Sequence, residues 1–209
     1  VGTTEDLIGR TLVITAAVFG IPSICLQHGV IMGEEAYMPV FSSHAAVYGD
    51  YERQWYMERG VTEDRIAVAG HPQFDEIISR VQTAKSLPTK AHSIPDKITL
   101  LAATGPLLNA AKIERLLHLL AQEPQFHVVI KPHPWELGKK KYQQYLRLEE
   151  QYPQLEVITD RKVKTYDLLA NADGVVTSLS TMTLEGLLFD KPVFVYDFII
   201  SNRSYPYHK

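Results

Sequence analysis

Apolar and polar positions follow two alternating patterns from residue 97 onward. Short runs that are apolar at nearly every position are typical of strands buried on both faces, and longer runs with apolar residues at helical spacing predict amphipathic helices between them. The predicted strands cover residues 98–103, 126–130, 155–158, 174–177 and 193–196, and the helices cover 109–122, 139–150, 166–171 and 181–189. This alternation predicts an α/β fold with a doubly wound parallel sheet.

The first part of the chain shows the same patterns less completely. Its predicted helices at 5–19, 50–59 and 74–82 and strands at 23–27, 45–48 and 65–69 indicate the trailing part of a second Rossmann-like domain in residues 1–83. Residues 84–96 are rich in Lys, Ser, Thr and Pro and lack periodicity, which is typical of an interdomain linker. Residues 97–209 then form the second domain. Because the chain begins with Val1 rather than Met, we expect an excerpt of a longer protein.

The composition is that of a folded globular protein. Of the 209 residues, 45% are hydrophobic and 22% are charged, which argues against disorder. The formal net charge of −3 and the lack of a basic stripe interleaved with aromatics disfavour nucleic acid as a partner. The most apolar stretch, 7–26, contains Arg10 and is interrupted by Gly20 and Pro22, so it does not predict a membrane span. One cysteine, Cys25, indicates a reducing, cytoplasmic setting.

Several predicted strands are followed by polar or conformationally special residues, at the sheet edge where α/β proteins bind ligands. After strand 126–130, Lys131 and His133 alternate with two prolines in a stiff loop, where a lysine charge and a histidine N–H group suit a bound phosphate. After strand 98–103, Thr104 and Gly105 allow the backbone to approach a nucleotide closely. Each loop is also compatible with a simple turn that binds no ligand.

Hydroxyl residues mark the start of helix 181–189. Ser178, Ser180 and Thr181 lie where free backbone N–H groups and the helix dipole attract phosphate. Glu185, about one turn into the helix, is suited to accept hydrogen bonds from a ribose diol. The alternative is an ordinary N-cap, followed by a glutamate whose charge suits the dipole.

Two histidines follow predicted strands of the first domain. His28, between Gln27 and Gly29, is a candidate general base that removes a proton from an acceptor hydroxyl, because histidine titrates near neutral pH. A purely structural role is the alternative. Segment 70–75, which contains His71, is also punctuated like a ligand loop, but it leads directly into a predicted helix and we expect it to have a structural, positioning role.

Motifs of other enzyme classes are missing from the sequence. It has neither histidine–carboxylate nor cysteine clusters with metal-ligand spacing, and it lacks the GxGxxG and GxxxxGK[ST] motifs. We therefore expect no metal and no cofactor, and dehydrogenase and kinase functions are disfavoured. The lysines at 139–141 are typical of a solvated helix face, although peripheral association with anionic lipid is also compatible with them.

Four segments together resemble the bacterial family that includes CDP-glycerol glycerophosphotransferases of teichoic acid synthesis and capsule polysaccharide transferases. The matching segments are residues 27–29 (QHG), 65–75 (RIAVAGHPQFD), 131–134 (KPHP), and 178–185 (SLSTMTLE) followed by 191–193 (KPV). The KPHP and Ser-Thr segments are also similar to motifs of bacterial sialyltransferases and polysialyltransferases, which use CMP-activated donors.

The resemblance implies a GT-B-like fold in which the C-terminal domain holds a CMP-, CDP- or UDP-linked donor without a metal ion. It implies that His133, Ser180 and Thr181 bind the phosphates and that Glu185 binds the ribose. It also implies that His28 is the general base. The implied acceptor is a cell-surface polysaccharide or a teichoic-acid-like polymer, free or lipid-linked, and the implied location is the cytoplasm or the inner face of the cell membrane. Glycerophosphotransferases tend to have Trp-His-Gly-Thr where residues 27–30 are QHGV, which favours a sugar-transferring capsule enzyme.

Two other functions are alternatives. A non-hydrolysing UDP-N-acetylglucosamine 2-epimerase shares the two-domain architecture, but its Asp-Ser-Gly-Gly phosphate loop is absent here, where residues 177–181 are TSLST. A non-catalytic nucleotide-sugar-binding module would bind a nucleotide, yet it would tolerate His28→Ala without loss of cellular function.

Overall fold

The computed structural model describes residues 2, 4, 6–84, 92–105 and 109–196. These residues form two compact units, the first extending to Phe74 and the second beginning at Asp75. Helix α3 (Pro72–Ala84) spans the point of division. Residues 85–91 of the predicted linker and the predicted helix start at Glu5 lie outside the described residues, and the predicted domain limits stay a prediction.

The first unit is built on a three-stranded parallel sheet with the strand order β1-β2-β3. Its elements are α1 (Leu7–Val18), β1 (Ile24–Leu26), β2 (His44–Val47), α2 (Asp50–Met57), a 3-10 helix (Glu63–Arg65) and β3 (Ile66–Val68). α1 begins after Asp6, whose carboxylate accepts a hydrogen bond from the Gly9 N–H at 2.7 Å and so caps the helix. Val47, Trp55 and Tyr56 are buried together where α2 packs beside the sheet.

The second unit has a five-stranded parallel sheet with the order β6-β5-β4-β7-β8. Its elements are β4 (Ile98–Ala103), α4 (Ala110–Gln122), β5 (Phe126–Lys131), α5 (Pro134–Gly138), α6 (Gln143–Gln151), β6 (Leu155–Val157), α7 (Thr165–Asn171), β7 (Gly174–Ser178), α8 (Thr181–Leu188) and β8 (Val193–Tyr196). The chain proceeds outward from β4 to β6 and then returns to the other side of β4. This order confirms the predicted doubly wound sheet, with its reversal between β4 and β7.

Alternate residues of the second sheet face two helical layers. The register partners Ala102, Ile130 and Val176 share one face and are buried in a core with Leu117 of α4 and Tyr145 of α6. The neighbouring positions point to the opposite face, where α7 and α8 lie. Because both faces are covered, the strands are apolar at successive positions, which is the pattern seen in the sequence.

Between β5 and β6 the structure corrects the single helix predicted at 139–150. A separate short helix, α5, comes first, and α6 begins only at Gln143. Pro134 occupies a first-turn position of α5, where its fixed φ favours the helix, and Lys140 has a positive φ of 56° in the turn that follows. The lysines at 139–141 therefore lie mostly in a turn rather than on a helix face, and the Lys141 ammonium is 4.6 Å from the centroid of the Trp135 ring.

None of the helices in the described part of the chain is both long and apolar enough to cross a membrane.

Candidate functional site

Three loops of the second unit leave the sheet at the same edge. β4 and β5 are paired to their ends, with Ala103 opposite Lys131, and β7 lies on the other side of β4 with Thr177 opposite Ala103. The ends of these strands, the loops that follow and the start of α8 carry most of the predicted donor-binding residues, namely Thr104, Gly105, Lys131, His133, Ser178, Ser180 and Thr181. This edge is where the strand order reverses, and doubly wound sheets bind ligands at such a point.

His133 is held at the N-terminus of α5 as its N-cap. Its ring Nδ1 accepts a hydrogen bond from the Trp135 N–H at 3.2 Å, so in the neutral ring the hydrogen is on Nε2. Partial burial lowers the pKa of His133, while the Glu136 carboxylate acts in the opposite direction. The ring is therefore a neutral donor through Nε2–H at neutral pH, which is the group expected to contact a phosphate.

Lys131 at the end of β5 is held by a hydrogen bond to the loop that follows β6. Its Nζ donates a hydrogen bond to the backbone carbonyl of Asp160 at 2.9 Å. Burial lowers the pKa of Lys131, and Asp160 partly offsets the effect. The ammonium group thus lies at this edge, beside the loop that follows β6.

A residue that the sequence analysis did not identify connects two of the loops. Glu136, on α5, is 3% exposed, and its Oε2 accepts hydrogen bonds from the Thr104 hydroxyl at 2.5 Å and from the His133 N–H at 3.0 Å. Its Oε1 accepts a third from the Tyr145 hydroxyl at 2.9 Å. The signal available in the sequence was a glutamate three residues after the N-cap, the spacing of a capping box. Histidine is not a preferred N-cap residue, so this signal is weak.

The start of α8 follows β7 directly. Ser180 is its N-cap, and the Ser180 N–H donates to the Thr183 hydroxyl at 3.5 Å, while that hydroxyl donates to the Ser178 carbonyl at 3.2 Å. Thr181 is the first helical residue, and the N–H groups of a first turn have no acceptor within their own helix. The arrangement can present backbone donors to an anion, as the sequence predicted.

Glu185 lies one turn further along α8 and is half-buried. Burial raises the pKa of its carboxyl group. Within the described residues its carboxylate has no hydrogen-bond or ion-pair partner. Such a carboxylate can accept hydrogen bonds from a ligand. The predicted contact with a ribose requires an acceptor of this kind.

His28, the candidate base, lies in the first unit after β1. Its ring is exposed and stacks on Tyr37, with 5.6 Å between ring centroids and 22° between planes. Gln27 is buried and fixes the loop, because its Nε2 donates to the Gly29 carbonyl at 2.8 Å and its Oε1 accepts from the Tyr48 N–H at 3.1 Å. His28 is thus held on a braced loop with its ring open to solvent.

His71 has the surroundings of a packing residue, in line with the positioning role expected for it. Its ring centroid lies 4.9 Å from that of Tyr48 and 4.7 Å from that of Phe74, and its Nδ1 accepts a hydrogen bond from the Gln73 N–H at 3.1 Å. Burial lowers the pKa of His71. The preceding Gly70 has φ +70°, a conformation that favours glycine.

Residues 108–198 match a family described as "Capsule polysaccharide biosynthesis protein". The matched segment runs from just before α4 into the region after β8, so it includes Lys131, His133 and the whole of α8. The match confirms the expected resemblance to capsule polysaccharide enzymes for this part of the second unit. No protein with a curated description matches the chain.

Solved structures with the same fold include a variant of the wall teichoic acid polymerase TagF soaked with CDPG. It is 14% identical, with a TM-score of 0.51 over 75% of this chain and 38% of that one. UDP-GlcNAc 2-epimerase from Neisseria meningitidis bound to UDP-GlcNAc is 14% identical, with a TM-score of 0.65 over 90% and 56%. The S. aureus MnaA–UDP structure is 13% identical, with a TM-score of 0.62 over 90% and 53%.

These similarities confirm the predicted fold class of Rossmann-like, GT-B-like units. At such identities they establish the fold and not the activity, because one fold supports many chemistries. The chain spans less than two thirds of the length of each of these proteins.

Proposed function

We propose that this chain supplies the donor-nucleotide-binding part of a transferase that moves a sugar or polyol-phosphate unit from a nucleotide-activated donor to a cell-surface polysaccharide or teichoic-acid-like acceptor. The observation that carries the proposal is the meeting of three loops, after β4, β5 and β7, at the edge where the strand order of the second sheet reverses. The family match over residues 108–198 supports a role in surface-polymer synthesis.

In the proposed site, the phosphates of the donor lie between His133 and the first turn of α8. The neutral His133 ring donates through Nε2–H, and Ser180 and Thr181 add hydroxyl and backbone donors. Lys131 adds positive charge at the same edge, and Thr104 and Gly105 form the wall on the β4 side. These groups stabilise the negative charge that develops on the nucleotide as it leaves.

Glu185 binds the ribose in this proposal. The half-buried carboxylate without a protein partner gains two hydrogen bonds when the ribose 2′- and 3′-hydroxyl groups donate to it. Burial raises its pKa, and the two donors favour the ionised form, so binding of a ribonucleotide and ionisation of Glu185 strengthen each other.

The transfer step uses His28 as general base. The acceptor hydroxyl gives its proton to His28, its oxygen forms a bond to the donor carbon or phosphorus, and the bond from that atom to the nucleotide breaks, so that the nucleotide leaves with the electron pair. The braced loop around Gln27 and the open face of the His28 ring support this role. Association of the enzyme with the inner face of the membrane is part of the same proposal and would bring it to a lipid-linked acceptor.

A second candidate function is isomerisation of a nucleotide sugar. The similarity to two proteins crystallised with UDP-GlcNAc or UDP, at TM-scores of 0.65 and 0.62, favours it as the alternative. The loop at residues 177–181, TSLST, lacks the glycines of the epimerase phosphate loop and argues against it.

Product analysis separates the two functions. CDP-glycerol, UDP-N-acetylglucosamine and a CMP-activated sugar are each incubated with the protein, with and without a polymeric acceptor, and the products are identified by mass spectrometry and NMR. A transferase releases free nucleotide and extends the polymer only when the acceptor is present. Conversion of UDP-N-acetylglucosamine to its 2-epimer without an acceptor would contradict the proposal.

A further inference from the structure

We propose that Glu136 is a positioning residue that sets the distance and orientation between the loop after β4 and the loop after β5. The inference rests on the proposed nucleotide site, because these loops form two of its walls. Glu136 is 3% exposed and accepts three hydrogen bonds, from the Thr104 hydroxyl, the His133 N–H and the Tyr145 hydroxyl.

The network presents one N–H group and two hydroxyl groups to the two carboxylate oxygens. All three partners donate, and a carboxylate has only acceptor sites, so the group matches its surroundings. An amide at this position would put a donor where a hydroxyl group now donates, so that this hydroxyl would have to turn and accept. Burial, together with the Glu136 charge, raises the pKa of Tyr145, which keeps its hydroxyl protonated as a donor. A buried group that loses its partner carries a large desolvation cost, so the network resists rearrangement.

The contacts link segments that are distant along the chain. Thr104 follows β4, His133 follows β5, and Tyr145 lies on α6. Oε2 of Glu136 joins the first two directly, at 2.5 and 3.0 Å. The N-cap geometry of His133, in which Nδ1 accepts the Trp135 N–H, depends on the same helix start. Glu136 thereby holds the helix start at which the Trp135 N–H fixes the His133 tautomer, although it does not itself contact the nucleotide.

The sign of the effect distinguishes positioning from simple charge. Glu136 is negative, and if charge alone mattered, its replacement by glutamine would strengthen binding of an anionic phosphate. If Glu136 positions the loops, the same substitution weakens binding. A role limited to stability would change the denaturation midpoint and leave the affinity of the folded protein unaltered.

The experiment compares Glu136→Gln with Glu149→Gln as matched control. Glu149 lies on α6, and its carboxylate accepts a hydrogen bond from the Val157 N–H at 2.8 Å, outside the Glu136 network. Affinities for CMP, CDP, UDP and GDP are measured by calorimetry. The tautomer and protonation state of His133 are read in the nucleotide-free protein from its ¹⁵N and ¹H NMR signals. Urea denaturation reports stability separately.

We expect Glu136→Gln to weaken binding of the best-bound nucleotide about tenfold, the effect of losing one hydrogen bond between the displaced His133 ring and a phosphate, and to alter the His133 ring signals. Glu149→Gln should change neither. If Glu136→Gln does not fold, Tyr145→Phe removes the hydroxyl that donates to Oε1 of the same carboxylate, and it should weaken binding and alter the His133 ring signals.

Unchanged or tighter nucleotide binding in Glu136→Gln, with unchanged His133 signals, would overturn the inference. If the wild-type protein binds none of the four nucleotides, the proposed function fails. The positioning role of Glu136 is then decided by the His133 signals of the nucleotide-free proteins, which must differ between wild type and Glu136→Gln.

Discussion

Replacing Gly186 with alanine tests how closely α8 packs on the second sheet. A Cβ atom on Gly186 would lie 2.9 Å from Cγ2 of Val193 and 3.3 Å from Cγ2 of Val175. Both distances are shorter than ordinary carbon–carbon contacts, and the two valines are β-branched with restricted rotamers, so the helix or the strands must shift. The position thus favours glycine even though it lies inside a helix.

Two opposing effects set the size of the change. Overpacking a core typically costs ~1–3 kcal/mol, whereas alanine is favoured over glycine in a helix by about 1 kcal/mol. We therefore expect Gly186→Ala to lower the free energy of unfolding by about 1 kcal/mol. For a chain of this size, such a change lowers the melting temperature by about 2–4 °C.

A double-mutant cycle with Val193→Ala isolates the contact. Removing Cγ2 of Val193 eliminates the shortest distance, so in that background Gly186→Ala should be neutral or stabilising. Urea denaturation of the four proteins gives the coupling free energy. If Gly186→Ala stabilises the otherwise wild-type protein, or destabilises both backgrounds equally, the packing argument is wrong.

Three further predictions concern the chemistry of the site. His28→Ala should lower the rate of transfer by about 10²–10⁴-fold, as expected for loss of a general base, without changing nucleotide affinity; an unchanged rate would reject the assignment. The wild-type protein should bind a ribonucleotide about tenfold more tightly than its 2′,3′-dideoxy analogue, and Glu185→Ala should abolish this preference. An equal preference in both proteins would contradict the ribose contact. Burial lowers the pKa of His71, His127 and His133 from the ordinary value of 6.5. Below that pH the unfolded chain therefore binds more protons than the folded protein, and the free energy of unfolding should fall as the pH drops through this region. NMR titration of the three rings above pH 6.5 would contradict this.

The second sheet could be predicted from the sequence because its strands are covered on both faces. Strands such as β5 and β7 are buried at nearly every position, and that burial leaves a continuous apolar run that a half-exposed strand does not show. The polar residues that follow β5 and β7 were then placed at one edge by the geometry of parallel strands alone. The locations of His133 and Ser178 at that edge follow from the same geometry.

The details of the loop after β5 could not be predicted in this way. α5 begins with histidine as its N-cap, a residue that is not preferred there, so the helix gives a weak sequence signal. Glutamate is almost never fully buried without partners, and the partners of Glu136 include Thr104 and Tyr145, which only the folded sheet brings to it. The hydrogen bond from Lys131 to the Asp160 carbonyl is likewise a tertiary contact without a local pattern.

The hydrogen bonds that hold the loop of His28 in the first unit could not be predicted from the sequence either. A glutamine before the histidine is ordinary in sequence, but in the fold Gln27 is buried and connects the Gly29 carbonyl to the Tyr48 N–H. The resemblance to glycerophosphotransferases identified this position as a departure from tryptophan, and the structure gives the glutamine a role of its own. Side-chain hydrogen bonds between strand ends depend on register, which one sequence does not specify.

The most direct test of the donor site is a calorimetric binding screen against CMP, CDP, UDP and GDP with the wild-type protein, His133→Ala and His44→Ala. His44 is an exposed histidine at the start of β2 in the first unit and serves as the matched control. The account predicts that one nucleotide binds preferentially, that His133→Ala abolishes its binding, and that His44→Ala retains it. Binding of no nucleotide by the wild-type protein, or equal binding by His133→Ala, would contradict the account.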